Sequence, residues 1–255
     1  MPQLENRTIW LTGASSGIGE ALAHQLARIP CRLAISARRG EVLEKLAAEL
    51  SAENNTVRPY PLDVTDREAV PATAEKIAAD LGPIDILIAN AGTYKPDDPA
   101  RFDAADYDGT MRLNFSGAVY CIEAVLPSMI ERRSGYIVGV SSLVGYRGLP
   151  RASAYGASKA ALINFLEGLR FDLRRHNVRV SVVNPGFVKT PLTDKNDFQM
   201  PFLMPVDEAA KVMMKGMRRG KMEIYFPWQL AWIFKLMRVI PYPLYDRLVR
   251  GRTGH

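Results

Sequence analysis

The sequence predicts an α/β fold built on a doubly wound parallel sheet, and three observations support this prediction. Seven short apolar runs alternate with longer helical patterns along most of the 255 residues. The runs are rich in β-branched residues and almost continuously apolar, as strands buried on both sheet faces are. Strict alternation implies right-handed crossovers between parallel strands. The predicted strands are Thr8–Thr12, Arg32–Ser36, Val57–Leu62, Ile84–Asn90, Tyr136–Ser141, Val178–Asn184 and Glu223–Phe226.

Helical patterns fill the intervals between these strands. In Glu41–Glu53, for example, leucine or valine occupies positions 42, 43, 46 and 50. No repeat or Gly/Ser/Pro-rich linker interrupts the alternation, which predicts a single domain over residues 1–255. Two segments depart from it. Residues 187–206, rich in Pro, Thr, Asp and Phe, are interpreted as a substrate lid, and residues 227–255 as an apolar, basic C-terminal helical extension.

Composition limits the class of protein. With 47% hydrophobic and 24% charged residues, the chain is not predicted to be disordered. Cys31 and Cys121 lack metal-ligand spacing, so we expect two reduced structural thiols in a cytoplasmic protein and no metal site. The N-terminus does not resemble a signal peptide, and no uninterrupted apolar run reaches the length of a membrane span.

The net charge of +6 leaves several partners open. A phosphorylated ligand, nucleic acid and an anionic membrane surface would all suit a basic chain, and so would a soluble basic surface with no such partner. The basic residues are scattered and no nucleic-acid motif is recognised, so nucleic acid is not a predicted partner.

A glycine-rich turn directly follows the first predicted strand and opens into a helix. Its glycines allow the backbone to approach a pyrophosphate closely, and the helix N-terminus offers free N–H groups to the anion. Between a first strand and a first helix, this pattern predicts dinucleotide binding. A turn without a ligand is the alternative. The candidate contacts are Gly13, Ser15, Ser16, Gly17, Ile18 and Gly19.

Two arginines follow the second strand, where an acidic residue usually binds the ribose 2′-hydroxyl of NAD. Arg38 and Arg39 stand there, and no carboxylate does. Guanidinium groups attract a 2′-phosphate, so the sequence predicts NADP(H) in preference to NAD(H), with these two arginines as candidate contacts. A solvated charge pair in a loop is the alternative reading.

A serine, a tyrosine and a lysine form the candidate catalytic group. Tyr155 and Lys159 are four residues apart on a predicted helix and therefore share one face. Ser142 ends a strand thirteen residues before Tyr155, at the sheet edge where ligands bind. Tyr-x-x-x-Lys alone is a weak signal, and the upstream serine and glycine turn make it specific.

These residue types fit proton transfer at a carbonyl carbon. A free tyrosine has a pKa of about 10, too high for proton exchange at neutral pH. A nearby ammonium and a positive nicotinamide ring would lower the pKa of Tyr155 towards the working range of a general acid–base. Ser142 can hold the substrate oxygen and stabilise its developing charge. We therefore expect Ser142 and Tyr155 to contact substrate.

With these motifs the chain, from about Arg7 to Phe226, resembles the short-chain dehydrogenases/reductases. Thr12–Gly19 looks like the cofactor turn of this family, and Ser142, Tyr155 and Lys159 match its catalytic triad. The resemblance implies a Rossmann-like sheet of order 3-2-1-4-5-6-7. It also implies homodimers or homotetramers formed through the helices that carry Asn114 and Tyr155.

Further site residues are implied by this resemblance alone. Asn114 is similar to the asparagine that positions a proton-relay water through Lys159, and Arg38 matches the arginine of NADP-preferring members. The remaining implied cofactor contacts belong to the adenine pair, the sheet-stabilising motif and the nicotinamide loop. They are Asp63, Val64, Asn90, Ala91, Gly92, Pro185, Gly186, Val188 and Thr190.

The C-terminal stretch Trp228–Ile240 is predicted to be a helix that is apolar around most of its circumference and ends before Pro241. A lid or subunit-interface helix is the favoured interpretation. Because Lys235, Arg238, Arg247, Arg250 and Arg252 make this end basic, peripheral docking on an anionic membrane is the alternative.

The sequence thus predicts an NADP(H)-dependent carbonyl reductase or alcohol dehydrogenase. Aromatic and methionine side chains around 198–204 and 228–234 favour an apolar ketone or alcohol substrate, although they also suit core packing. A catalytically silent NADP-sensing protein is the alternative.

Overall fold

The computed structural model describes residues 3–51 and 56–253 and contains one seven-stranded parallel sheet. Its order, β3-β2-β1-β4-β5-β6-β7, confirms the predicted Rossmann-like topology. The strands are β1 Thr8–Thr12, β2 Arg32–Ala37, β3 Thr56–Pro61, β4 Ile86–Ala89, β5 Gly135–Val140, β6 Val178–Pro185 and β7 Glu223–Phe226.

Nine α-helices lie in the described ranges and connect or follow the strands. They are α1 Gly17–Leu26, α2 Gly40–Leu50, α3 Ala69–Leu81, α4 Ala104–Met111, α5 Gly117–Glu131, α6 Ser153–Leu173, α7 Val206–Arg218, α8 Trp228–Val239 and α9 Tyr242–Thr253. A π-helical turn, Arg112–Ser116, joins α4 to α5.

Several predicted boundaries move by a few residues. The central strands β4 and β5 end before Asn90 and Ser141, because the chain leaves the ladder there to form loops at the sheet edge. The helix predicted over Glu41–Glu53 ends at Leu50, because Ser51 has an extended backbone; its last predicted residues, 52 and 53, lie outside the described residues.

Both faces of the sheet are buried, which explains the continuous apolar runs of the strands. Alternate side chains of a strand point to opposite faces. Trp10 and Leu87 accordingly belong to one core cluster, whereas Leu11 and Ile88 belong to the other. The two cysteines are also buried, and burial raises the pKa of Cys31 to about 11 and that of Cys121 to about 12. Both thiols are therefore protonated at neutral pH, as structural thiols are.

Residues 104–131 are the one described segment long and apolar enough to cross a membrane, with a mean hydropathy of 1.3 in the most apolar 18-residue window. This segment comprises α4, the π-helical turn and α5. Five buried apolar side chains of α5, besides Gly117, pack in the core. A core helix of a globular domain passes the same test, so length and composition alone are weak evidence for a membrane span.

The segments outside the regular alternation have defined structure. Residues 187–205 form a loop with a short 3₁₀ turn at Thr193–Lys195, and Val188 pairs with Met204 in an isolated bridge; the last residue of the predicted lid, Val206, begins α7. The predicted C-terminal helix is present as α8. Its Leu230, Ala231 and Phe234 pack in the core, and α9 follows.

A polar cluster secures the sheet at the edge opposite the glycine turn. The Asp85 carboxylate accepts hydrogen bonds from the Thr8 N–H (3.0 Å) and from Arg132 Nη1 (3.2 Å), and Arg7 Nη1 lies 3.6 Å away. Arg132 Nη2 also donates to the Ile84 carbonyl at 2.9 Å. One largely buried carboxylate thus ties β1 to the start of β4 and the end of α5.

We predict that Asp85→Ala lowers the free energy of unfolding by about 2–3 kcal/mol, because several charge-assisted hydrogen bonds lose their acceptor. Urea denaturation of the purified protein measures this change. Asp85→Asn should recover part of the loss, and the exposed helical substitution Glu75→Ala is the control that should have little effect. Equal stability of Asp85→Ala and wild type would contradict a structural role for the cluster.

Candidate active site

One cavity of ≈ 420 Å³ opens at the carboxyl edge of the sheet. It is lined by the glycine turn, the ends of β2 and β3, the loops after β4 and β5, the start of α6 and the loop after β6. With the exception of Asn114, every site residue predicted from the sequence contributes to this lining. Ligands of open α/β sheets bind at this edge, so the cavity is the candidate site.

The glycine turn approaches the neighbouring strand too closely for side chains. Gly13 and Gly17 have left-handed backbones, with φ of +68° and +60°. A Cβ on Gly13 would lie 2.7 Å from Ala91 Cα, and one on Gly19 would lie 2.1 Å from the Gly13 carbonyl oxygen. Each of these glycines is therefore required by the backbone path.

Asn90 and Thr12 hold this turn against the end of β4. Asn90 Nδ2 donates to the carbonyl oxygens of Thr12 (3.0 Å) and Gly13 (3.1 Å). In return, Thr12 Oγ1 accepts from the N–H groups of Asn90 (3.1 Å) and Ala91 (3.2 Å). The resemblance implied a sheet-stabilising role for the motif that begins at Asn90, and these bonds provide the physical means for it.

The N-terminus of α1 faces the cavity. Ser16 precedes the helix in an extended conformation and makes no side-chain capping bond, while Gly17, Ile18 and Gly19 line the cavity. The first N–H groups of a helix have no intrahelical acceptors and carry a partial positive charge. This end of the cavity is suited to a phosphate group.

Arg38 and Arg39 both line the cavity beside this turn. Arg39 Nη2 donates to the carbonyl oxygen and to the hydroxyl of Ser15, each at 2.9 Å. Arg38 is exposed and lies near Asp63. Burial raises the pKa of Asp63, but hydrogen bonds from Thr65 and the charges of Arg38 and a second arginine lower it more. The two guanidiniums form a positive rim.

Tyr155 and Lys159 lie in the first turns of α6 and share one face of it. Lys159 is 4% exposed, and its Nζ donates to the Val140 carbonyl at 2.9 Å. The Ser141 hydroxyl donates to the Lys159 carbonyl at 2.8 Å, so the helix is bonded to the end of β5 at both points. Lys159 Nζ lies 5.7 Å from the centre of the Tyr155 ring.

Ser142 lies two residues beyond β5 rather than at its last position, where the sequence placed it. Its hydroxyl donates to the Pro185 carbonyl (3.3 Å), accepts from the Val144 N–H (3.3 Å) and is hydrogen-bonded to Tyr155. The strand ends early because Ser142 caps a short 3₁₀ turn, Leu143–Tyr146. That turn brings the hydroxyl to the tyrosine.

The protein groups shift both titrating side chains towards their neutral forms. Burial raises the pKa of Tyr155 to about 12; the hydrogen bond with Ser142 opposes this and the neighbouring Tyr94 adds to it. Burial also lowers the pKa of Lys159 to about 8. The sequence predicts instead that a nearby ammonium and a positive nicotinamide ring lower the pKa of Tyr155. The direction differs because burial outweighs the favourable contacts that the chain itself provides.

Asn114 lies behind the cavity wall, in the π-helical turn between α4 and α5. Its Oδ1 accepts from the Thr93 N–H at 2.7 Å, and its Nδ2 donates to the Thr93 carbonyl and to Ser158 Oγ, both at 3.0 Å. A Cβ on Gly92 would be 3.2 Å from Asn114 Oδ1 and 3.4 Å from Lys159 Nζ. Asn114 and Lys159 therefore flank the same glycine.

Some cavity-lining residues were not predicted from the sequence. Arg39 lies beside the predicted Arg38, and no sequence pattern indicates its hydrogen bonds to Ser15. Tyr94 is not part of the cavity lining, but it packs edge-on against Tyr155, with ring centres 5.2 Å apart, and belongs to no motif. Continuing outward from Asn90-Ala91-Gly92 would have found Thr93 and Tyr94. The further lining residues are Ala37, Leu62, Leu113, Val140, Ser141, Pro191, Leu192, Thr193 and Lys195.

Lys159 generates a stability prediction, because its ammonium is buried without a carboxylate partner in the described contacts. A lysine pKa of about 8 in the folded state, against the ordinary value of 10.5, corresponds to a cost of about 3 kcal/mol at neutral pH. Lys159→Met removes this cost but leaves the Val140 carbonyl unpaired, so we expect a net gain of roughly 1–2 kcal/mol in the free energy of unfolding at pH 7.

The stability difference between Lys159→Met and wild type should depend on pH in a definite direction. Below pH 8 both the folded and the unfolded wild type hold the proton, so the full cost is present. As pH rises from 8 towards 10.5, Lys159 of the folded protein loses its proton and the cost of burying the charge falls. The gain in the free energy of unfolding from Lys159→Met should therefore shrink. Urea denaturation at pH 7 and pH 10 measures this. The exposed Lys211→Met is the control, and an advantage independent of pH would contradict the buried-charge account.

Comparison with known proteins agrees with this geometry. A 250-residue alignment at 44% identity, spanning 98% of this chain and 99% of its relative, links it to an uncharacterized oxidoreductase of Myxococcus xanthus. The 3-oxoacyl-[acyl-carrier-protein] reductase FabG of Thermotoga maritima is 36% identical over 76% of this chain and 78% of its own length.

Solved structures share the fold. An alcohol dehydrogenase from Thermococcus sibiricus, complexed with 5-hydroxy-NADP, superposes with a TM-score of 0.79 at 27% identity, covering 87% of this chain and 96% of its own. The family model described as short chain dehydrogenase matches residues 7–200. The chain therefore belongs to the short-chain dehydrogenase family of oxidoreductases.

Proposed function

We propose that this protein is an NADP(H)-dependent oxidoreductase that transfers hydride between the nicotinamide and a carbonyl or secondary alcohol, with Tyr155 as the general acid–base. One observation carries the proposal: the glycine turn, the arginine rim and the Ser142–Tyr155–Lys159 group share one cavity. Dinucleotide binding and proton transfer would then occur within reach of each other.

The residues of the cavity fit a dinucleotide. The backbone cradle at Gly13 and Gly19 would be filled by any side chain, and the uncapped N-terminus of α1 offers donors to a pyrophosphate. Asp63 and Val64 would hold the adenine side, while Pro185–Thr190 would hold the nicotinamide side. When bound, NADPH supplies the hydride that reduces the carbonyl carbon.

The protein's own residues would handle the proton and the substrate oxygen. At neutral pH the Tyr155 hydroxyl is protonated and can donate to a carbonyl oxygen that also contacts Ser142. Lys159, next to Gly92 and Asn114, can resupply the proton through water. A pKa of Tyr155 near neutrality would require additional positive charge close to the ring, which an oxidised nicotinamide and a charged Lys159 would provide.

Preference for NADP(H) over NAD(H) rests on the positive rim. Arg38 is exposed at the cavity and can bind a 2′-phosphate bidentately. Arg39 is already bonded to Ser15 and would contribute charge while steadying the turn. We therefore retain Arg38 as the principal determinant, with Arg39 as a second contributor that the sequence interpretation had not chosen.

An apolar ketone or alcohol is the proposed substrate, entering past the lid at residues 187–206. Phe187 and Phe198 make an edge-to-face contact there, with ring centres 5.8 Å apart. Phe198, Phe202 and Leu203 are between 42% and 50% exposed. These side chains could close over an apolar molecule. A panel of aldehydes, ketones, steroids and 3-ketoacyl thioesters, assayed with both cofactors, would define the class.

We also propose a single catalytic domain over residues 1–255, a cytoplasmic location and assembly as a homodimer or homotetramer. Supporting the assembly, the most apolar window of residues 104–131 is only 39% buried within the chain, which leaves helical surface for pairing. Sedimentation velocity measures the oligomeric state directly.

We predict that Tyr155→Phe abolishes turnover of carbonyl substrates and leaves NADPH affinity within about threefold of wild type, since only the proton-donating oxygen is removed. NADPH absorbance measures turnover, and fluorescence titration measures binding. Tyr120→Phe, on α5 and outside the cavity, removes the same atom and should retain activity.

Wild-type rates in Tyr155→Phe would overturn the assignment of the general acid–base. If wild type itself binds NADPH tightly but turns over no member of the substrate panel, the alternative of an NADP-sensing protein is supported instead.

We predict that Arg38→Asp raises KM for NADPH by about 10- to 100-fold and changes KM for NADH far less, because a guanidinium that attracts the 2′-phosphate is replaced by a repelling carboxylate. Steady-state kinetics with both cofactors measure the ratio. Arg101→Asp, an exposed arginine outside the cavity lining, changes net charge equally and should leave the ratio intact. An unchanged preference in Arg38→Asp would assign the 2′-phosphate to other residues.

A further inference from the structure

The solvent-facing side of α8 is apolar. Three inward residues, Leu230, Ala231 and Phe234, pack in the core. The side chains at i, i+4, i+8 and i+11 from the first residue of the helix point outward and are between 60% and 75% exposed. They are Trp228, Trp232, Leu236 and Val239. A helix on the surface of a soluble domain normally turns its polar side to water.

Polar contacts fix α8 in this orientation. Lys235 Nζ donates to Glu223 Oε2 at 2.6 Å and lies 4.1 Å from the centre of the Tyr225 ring. The other oxygen of Glu223 accepts hydrogen bonds from Tyr146 and Asn184. Rotating α8 to bury its tryptophans would break these contacts, so the apolar side is held outward.

The next helix, α9, adds exposed apolar surface to the same end of the chain. The Arg147 guanidinium lies 4.4 Å from the ring centres of both Tyr242 and Tyr245, and the Tyr245 hydroxyl donates to the Gly148 carbonyl. This attachment leaves Leu244 and Leu248 48% and 50% exposed. The four outward side chains of α8 form one apolar stripe by their helical spacing, and an exposed apolar patch marks an interaction site.

The charge of this end identifies the kind of partner. Residues 227–255 contain five Lys or Arg and one acidic residue, Asp246, so they carry +4 of the chain's formal +6. Arg238 and Arg247 are exposed; the side chains of Arg250 and Arg252 lie outside the described residues. A symmetric contact between two copies would bring two such positive segments together, whereas an anionic surface would neutralise them.

We propose that α8 and α9 form a peripheral docking surface for an anionic phospholipid bilayer. Trp228 and Trp232 would lie at the headgroup level, Leu236 and Val239 would enter the acyl boundary, and the exposed Arg238 and Arg247 would contact the lipid phosphates. The proposal is independent of the proposed catalytic function, because no residue of α8 or α9 lines the cavity described above.

Vesicle co-sedimentation of the full chain tests this proposal. Wild type should partition at least about tenfold more strongly into vesicles containing roughly one-third phosphatidylserine than into phosphatidylcholine alone, and high salt should weaken it. The variant Trp228→Ser/Trp232→Ser should lose about tenfold or more of this binding. Phe102→Ser/Phe171→Ser removes two equally exposed aromatic rings elsewhere and should bind as wild type does.

Circular dichroism and sedimentation velocity accompany the binding assay. Both double variants change exposed positions and should keep the wild-type fold. Absence of wild-type binding to anionic vesicles, or equal binding by the tryptophan variant, would overturn the proposal. If vesicle binding is absent and the tryptophan substitutions instead dissociate an oligomer, the surface is an interface between copies of this chain.

Discussion

The Lys159 ammonium donates a hydrogen bond to the Val140 carbonyl, and the Lys159 carbonyl accepts one from the Ser141 hydroxyl. These two bonds attach α6 to the end of β5, and the geometry of the site depends on them. Because the helix is fixed there, Tyr155 one turn earlier meets Ser142 just beyond the strand. Because Gly92 has no Cβ, Lys159 Nζ and Asn114 Oδ1 can both lie close to its backbone. Polar side chains from three separate segments thus converge on one strand end.

Because these groups converge in the interior, both Tyr155 and Lys159 are buried, and burial shifts the pKa of each. The pKa of Tyr155 rises to about 12 and that of Lys159 falls to about 8, so burial favours the neutral form of both. A protonated phenol is the form that donates to a carbonyl oxygen, and a lysine that titrates near neutrality can exchange protons with water. The environment that destabilises a buried ammonium also brings it into the range useful for acid–base chemistry.

Much of the fold was predictable because it follows from local periodicity. β1 and β7 begin and end at the predicted residues, and the strand order follows from the family resemblance. The bond from Arg39 to Ser15 and the contact of Tyr94 with Tyr155 were not predictable. Each joins side chains distant in sequence, whose directions depend on the packed loops rather than on any repeating pattern. The π-helical turn around Asn114 was missed for a related reason: its side-chain bonds to Thr93 and Ser158 form only after folding.

The polar cluster around Glu223 connects the C-terminal helix α8 to the edge of the cavity. Tyr146 belongs to the 3₁₀ turn that Ser142 begins, and Asn184 precedes Pro185, the last residue of β6 before the loop that lines the cavity. Both donate to Glu223, whose second oxygen pairs with Lys235 of α8. Buried polar groups are costly unless their partners are correctly oriented, so this cluster permits few positions of α8 relative to the site. The exposed tryptophans are therefore a consequence of contacts that also hold the serine turn, and burying them within the chain would disturb the edge of the cavity.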